Sequence, residues 1–202
     1  MRSPVALAII DMQNDFVQPG AIACVAGAKD TLPALRELLA YARAEGWRVV
    51  HVTREHRADG SDAESFRRHA FSGGRGVCVA GTPGADIVPE LSPLPGELRL
   101  RKTRFSAFLF TEFDALLRRL GVRVLVLAGT QYPNCIRATA VDAAARDYAT
   151  LVVTDATSAQ TREVAQANVR DLSNMGVPCV PLAGLPEAVA AALRSLEQPL
   201  RP

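Results

Sequence analysis

Val122-Arg123-Val124-Leu125-Val126-Leu127-Ala128-Gly129-Thr130-Gln131-Tyr132-Pro133-Asn134-Cys135 is the stretch from which the rest of the chain is read. Apart from Arg123, the residues from Val122 to Ala128 are apolar, the composition of a strand covered on both faces. Glycine, polar residues and proline then break the run, and the segment Cys135–Tyr148 has the character of a helix. Strand, polar turn and helix in that order are the building unit of a parallel α/β sheet. Val5–Ile10 is a second continuous apolar run, ending at Asp11. Shorter β-rich runs occupy Arg48–Thr53, Leu98–Arg101, Thr150–Thr154 and Val177–Leu182.

Helical patterns separate them. Leu32, Leu35, Leu38, Leu39 and Ala42 share one helix face, and Gly46 closes that helix. Further helices fit Thr111–Leu120, Thr161–Asn174 and Pro186–Leu196. The alternation predicts a parallel sheet with helices on both faces. His56–Pro95 breaks the pattern: it is rich in Gly, Pro and charge, with a short helical piece around Ala63–His69. It holds too few apolar residues for a core of its own, so residues 1–202 are expected to form one domain with this segment passing over a sheet edge.

The chain has 202 residues, 49% of them hydrophobic, enough to bury a sizeable core. With 23 basic and 21 acidic residues interspersed, it has no electrostatic footprint for nucleic acid or an anionic membrane. The pairs Arg67-Arg68 and Arg118-Arg119 fit solvated helix faces. No apolar stretch is long enough to span a bilayer. The start Met1-Arg2-Ser3-Pro4 runs directly into the first strand without a leader pattern. Cys24, Cys78, Cys135 and Cys179 show neither C-x-x-C nor zinc-like spacing, so a reducing, cytoplasmic setting with free thiols is expected. Gly73-Gly74-Arg75-Gly76 follows no strand and precedes no Lys-Ser/Thr, so it reads as a flexible loop, not a phosphate cradle.

Ligands of open parallel sheets bind beyond the carboxyl ends of the strands. Asp11, Arg54-Glu55-His56, Lys102, Gly129–Asn134 with Cys135 beyond, and Asp155 all fall at such ends. A thiolate at a helix start beside an ammonium should titrate below about 8.5. Asp11 could take the thiol proton and return it to a leaving amine, with Lys102 holding acid and thiol together. Each residue also has a plain reading: a small core cysteine, a turn-forming Asp, a surface Lys. Position alone leaves both open. Cys179 fits a core strand, and Cys24 and Cys78 have no polar surroundings.

The motifs narrow the choice. Ile9-Ile10-Asp11-Met12-Gln13-Asn14-Asp15-Phe16, Lys102-Thr103-Arg104-Phe105-Ser106-Ala107-Phe108 and Ala128–Ala143 resemble, in order, the three motifs of isochorismatase-like hydrolases. Val153-Thr154-Asp155-Ala156-Thr157 continues the likeness. The resemblance implies a three-layer α/β/α fold with a six-stranded parallel sheet, and a Thr130–Gln131 non-proline cis peptide. It also implies a homo-oligomer, most simply a dimer, and triad roles for Asp11, Lys102 and Cys135. Backbone N–H groups of Gln131 and Cys135 would form the oxyanion hole, and Phe16, Arg54, Glu55, Phe108, Gln131 and Tyr132 would bind substrate.

One departure bears on cofactors. Metal-dependent nicotinamidases carry Asp-x-His after the second strand, where this chain reads Glu55-His56-Arg57. An arginine does not ligate zinc, and His69 alone is no site, so no metal or other cofactor is expected. The expected function is hydrolysis of a small amide, ureido or lactam C–N bond. Nicotinamide hydrolysis, isochorismate vinyl-ether hydrolysis and a non-catalytic binding or scaffold role remain alternatives. A nucleotide-binding module is disfavoured, because no glycine-rich turn follows the first strand.

Overall fold

The two continuous apolar runs become neighbours at the centre of one sheet. In the computed structural model, which describes residues 3–198, β1 (Val5–Ile10) and β4 (Val124–Thr130) pair in parallel and are buried throughout. β2 (Arg48–Arg54) and β3 (Leu98–Lys102) extend the sheet on one side, and β5 (Ala149–Ser158) and β6 (Cys179–Val180) on the other. The order is β3-β2-β1-β4-β5-β6, every pairing parallel. Met1 and Arg2, on which the expectation of no leader partly rested, and the last residues of the expected 1–202 span lie outside the described residues.

A single turn, α1 (Asn14–Val17), follows β1. Side chains alternate across the pleat and build two cores. Leu7, Ile9, Val126 and Ala128 pack against α2 (Leu32–Ala44) and, from the end of the chain, Leu185 and Val189. On the other face Ala8, Ile10, Leu125 and Leu127 meet Phe113 and Leu117 of α3 (Phe113–Arg119), Ala140 of α4 (Arg137–Ala144) and Leu172 of α5 (Arg162–Asn174). Leu185 and Val189 belong to α6 (Leu185–Glu197). The layers are therefore helix, six-stranded parallel sheet, helix, as expected. Gly46, at φ +65°, ends α2 in the left-handed conformation that glycine adopts without a Cβ clash.

Several boundaries differ from the sequence reading. β4 runs two residues further, to Thr130, and β5 continues through Asp155 to Ser158. Asp155 therefore lies within the strand, where its carboxylate accepts from the Leu182 N–H at 3.0 and 3.1 Å. β6 shrinks to Cys179–Val180, between Pro178 and Pro181, which have no N–H to give a ladder. Cys179 is accordingly half-buried rather than core. The helix expected from Cys135 opens as a widened π turn, Tyr132–Ile136, that leads into α4.

The middle of the long excursion folds back onto its start. His56 bridges Val79, with His56 N–H donating to Cys78 C=O and Ala80 N–H to His56 C=O, both at 2.9 Å. Phe71, from the 3-10 segment Ser65–Gly74, packs edge-on over the His56 ring at 5.5 Å. Among the described residues, no helix is long and apolar enough to cross a membrane.

Gly129 fixes how closely β4 approaches β1 beside the coming loop. It has φ +115°, and a Cβ there would sit 2.2 Å from Ile10 O and 2.8 Å from Ile10 N, both backbone atoms that cannot swing away. Gly129→Ala is expected to cost about 2 kcal/mol or more, lowering Tm by about 5 °C or more. Thermal denaturation at the wild-type midpoint would contradict this role for the glycine.

Candidate active site

The carboxyl ends of β1, β2, β3 and β4 gather three charged side chains and a thiol into one buried cluster. Asp11 follows β1 with φ +53°, its N–H bonded to Val52 O at 2.9 Å and its C=O accepting from Gln13 N–H at 2.8 Å. A left-handed non-glycine residue costs about 1–3 kcal/mol, an expense typical of functional turns. Lys102, the last residue of β3, reaches across β2 so that Nζ lies 2.7 Å from Asp11 Oδ2 and 3.4 Å from Cys135 Sγ. Its third donor reaches Arg104 C=O at 3.2 Å, so the buried ammonium is fully engaged. Asp11 Oδ1, in contrast, is buried without a hydrogen-bond partner. Asp11 and Lys102 are each 1% exposed and Cys135 6%.

The thiol is held differently from the sequence expectation. Burial and the Asp11 charge push Cys135 up, and Lys102 and Arg54 only partly offset them. Cys135 therefore rests as a protonated thiol beside a carboxylate, because a helix start and an ammonium do not outweigh full desolvation. Burial, with the charges of Asp11 and Asp15, also pushes Cys78 far up, and burial raises Cys179.

A small cavity of about 80 Å³ opens onto the cluster, lined by Asp11, Phe16, Ala23, Val25, Arg54, Arg67, Phe105, Thr130, Gln131, Asn134 and Cys135. The Thr130–Gln131 peptide is cis, as the resemblance implies. Ser158 Oγ donates to Thr130 Oγ1 at 2.8 Å and ties the ends of β5 and β4 together under the loop.

Of the residues expected here, the structure brings together Asp11, Lys102, Cys135, Phe16, Arg54 and Gln131. It does not bring Glu55, Phe108 or Tyr132. Strand alternation turns Glu55 to the face opposite Arg54, where it lines a separate surface cleft with Arg101, 3.8 Å away. Phe108 packs at a tilt against the Phe113 and Tyr148 rings, at 4.8 and 5.9 Å, in the core beneath α3 and α4. Tyr132 is 1% exposed in that same core.

Others arrive that the sequence reading did not single out. The Gln13 amide clamps the end of β2, its Oε1 accepting from Arg54 N–H and its Nε2 donating to Arg54 C=O, both at 2.7 Å. The Lys102 motif supplies Phe105, and the excursion supplies Arg67 and Glu64. Gln13 and Phe105 lay in recognised motifs. Glu64 had no local signal, and Arg67, expected on a solvated helix face, instead lines the cavity and bonds Glu64, because only the path of the excursion brings them here.

The donor set after β2 does not fit a metal. Glu55 faces away, Arg57 and Arg54 add positive charge, and His56 sits 3.4 Å from the Arg54 guanidinium. Burial and Arg54 hold His56 below its usual range. Among the described residues, no three His, Cys, Asp or Glu side chains cluster as ligands.

A parallel α/β sheet with a buried Cys–Lys–Asp cluster over its carboxyl edge is the arrangement of a cysteine hydrolase acting on small C–N-bonded substrates. The isochorismatase domain profile matches residues 5–183, and the chain belongs to that family. A crystal structure of an isochorismatase family protein from Desulfovibrio vulgaris is 64% identical, with TM-score 0.92, covering 93% of this chain and 98% of that one. A probable inactive nicotinamidase of Arabidopsis thaliana is 45% identical over 85% of this chain and 89% of its own length. The maleamate amidohydrolase of Pseudomonas putida is 32% identical over 86% of this chain and 80% of its own.

Because the side chains after β2 do not form a ligand set, prolonged chelation is expected to leave Tm and hydrolase activity unchanged. Elemental analysis finding about one metal per chain, with activity lost to chelator and restored by zinc, would overturn this.

Proposed function

We propose that this protein hydrolyses a C–N bond of a small amide, ureido or lactam substrate through an acyl-enzyme on Cys135. The observation that carries the reading is the Lys102 ammonium bridging Asp11 Oδ2 and Cys135 Sγ while Asp11 Oδ1 has no partner. That free oxygen is the acceptor for the thiol proton. As the proton moves to Asp11, sulfur attacks the carbonyl carbon, and backbone N–H groups of Gln131 and Cys135 take the developing oxyanion. The C–N bond then breaks, and Asp11 returns the proton to the leaving nitrogen. Water attacks the thioester, giving its proton to Asp11, and the C–S bond breaks with return of that proton to sulfur. The cycle is balanced and needs no cofactor.

The cavity of about 80 Å³ suits a compact acyl group. Its wall offers Phe16 and Phe105 to flat or apolar parts, and Arg67, rather than Glu55, to a polar end. With no ligand set to hold a metal against a pyridine nitrogen, nicotinamide should be a poor substrate. The name of the Arabidopsis relative agrees with that. Vinyl-ether hydrolysis does not use the cysteine, so a thiol buried against two cations favours amide chemistry. Four unpaired cysteines support a reducing, cytoplasmic setting. The proposal extends to a homo-oligomer, supported by the exposed apolar side chains Leu109, Phe110 and Val141. Light scattering at 21.6 kDa would contradict that extension.

Ammonia release across small amides and ureido acids, with nicotinamide included, tests the activity. Cys135→Ala should abolish turnover, and Asp11→Asn and Lys102→Ala should each lower it roughly 100-fold or more. Wild-type rates in a folded Asp11 or Lys102 variant would remove that residue from the mechanism.

A further inference from the structure

Arg54, expected among the substrate-binding residues, is one of the largest fully buried side chains among the described residues and lines the cavity beside Cys135. Its Nη2 donates toward Cys135 Sγ at 3.7 Å, from the end of β2 that pairs in register with Lys102 at the end of β3. The guanidinium is held in place from several sides. Nη1 donates to Thr103 C=O at 3.1 Å and to Glu64 Oε1 at 3.0 Å, and Nη2 donates to Arg104 C=O at 3.0 Å. Gln13 fixes its backbone.

We propose that Arg54 is a fourth catalytic residue, a second fixed cation that stabilises the Cys135 thiolate as it forms, with Glu64 from the excursion as its counter-ion. The assignment rests on Cys135 being the nucleophile. A buried guanidinium without a carboxylate is strongly disfavoured, so Glu64 is what allows a second cation in this cluster. Burial opposes the Glu64 charge, but Arg54 and Arg67 outweigh it and hold Glu64 ionised, below the usual carboxylate range. At rest Lys102 and Asp11 compensate each other, and Glu64 is shared between Arg54 and Arg67, around a protonated thiol. When the thiol proton passes to Asp11, Lys102 loses its counter-ion and the new sulfur anion replaces it. Arg54 then bears on that anion from the neighbouring strand end, screened by Glu64. The remaining charged or titratable groups facing the thiol's surroundings are His56, held neutral beside Arg54, and Arg67, bonded to Glu64 through Nε at 3.1 Å.

The two partners should move the thiol in opposite directions, which a merely structural role would not do. The readout is the rate of iodoacetamide labelling of the Cys135 peptide against pH, quantified by mass spectrometry in the intact protein. Arg54→Met removes the cation and leaves Glu64 behind, so the labelling midpoint should move up by about one pH unit or more. Glu64→Gln keeps Arg54 on the Thr103 and Arg104 carbonyls and removes its screen, so the midpoint should move down. Arg54→Lys should lie between wild type and Arg54→Met. If Arg54→Met does not fold, the Glu64→Gln and Arg54→Lys shifts decide. An unchanged midpoint, or Glu64→Gln moving it up, would overturn the role of Arg54. Labelling needs no substrate, so that outcome leaves the hydrolase reading to be judged by ammonia release alone.

Discussion

The contact between Lys102 Nζ and Asp11 Oδ2, 2.7 Å long and sealed from solvent, is the constraint on which the rest of the site depends. Two opposite charges at the ends of β3 and β1 are tolerable in a dry interior only because each neutralises the other. Removing either partner from such a pair costs about 3–5 kcal/mol. The pair also fixes where a third strand must deliver its side chain. Lys102 has one donor left over after Asp11 and Arg104, and Cys135 lies at the end of it. Gly129, pressed against the Ile10 backbone, sets the approach of β4 that makes this possible.

Charge compensation explains the chemistry of the resting state. Desolvation keeps the thiol protonated, and the acceptor that activates it is a carboxylate already bound to a cation. In the proposed mechanism the nucleophile is thus generated when proton transfer and attack occur together, not stored as a thiolate. Such an arrangement protects a buried cysteine from indiscriminate reaction while keeping the proton acceptor in contact range. Two cations from neighbouring strand ends face the thiol, one compensated by Asp11 and one by Glu64 of the excursion.

How much of this was legible in the sequence follows from how local each signal is. Near-continuous apolar runs ending in Asp11 and at the Gly129 turn placed both central strands, because full burial on two faces leaves no other composition. Asp11, Lys102 and Cys135 stood out because each lies at a strand end inside a recognised motif. Boundaries set by tertiary pairing were less visible. The hydroxyl contact of Thr130 with Ser158 lies where β4 and β5 outrun their apolar runs, and prolines on either side cut β6 to a stub. Glu55 was misplaced for want of the strand phase, and Phe108 because Phe105, three residues earlier, is the aromatic that faces the cavity. The partnership of Arg54 with Glu64 depends on the folding back of a loop that has no periodic pattern. The low titration expected of Cys135 failed because a sequence shows its charged neighbours but not its desolvation.

The central claim is a covalent intermediate on one sulfur, and trapping that intermediate tests it most directly. Acid quenching during turnover of whichever small amide releases ammonia, followed by intact-mass and peptide mass spectrometry, should show the acyl mass added to Cys135 alone. Hydroxylamine should divert that acyl group to a hydroxamate. An adduct mapping to another residue, or turnover without any adduct and without hydroxamate formation, would contradict the account.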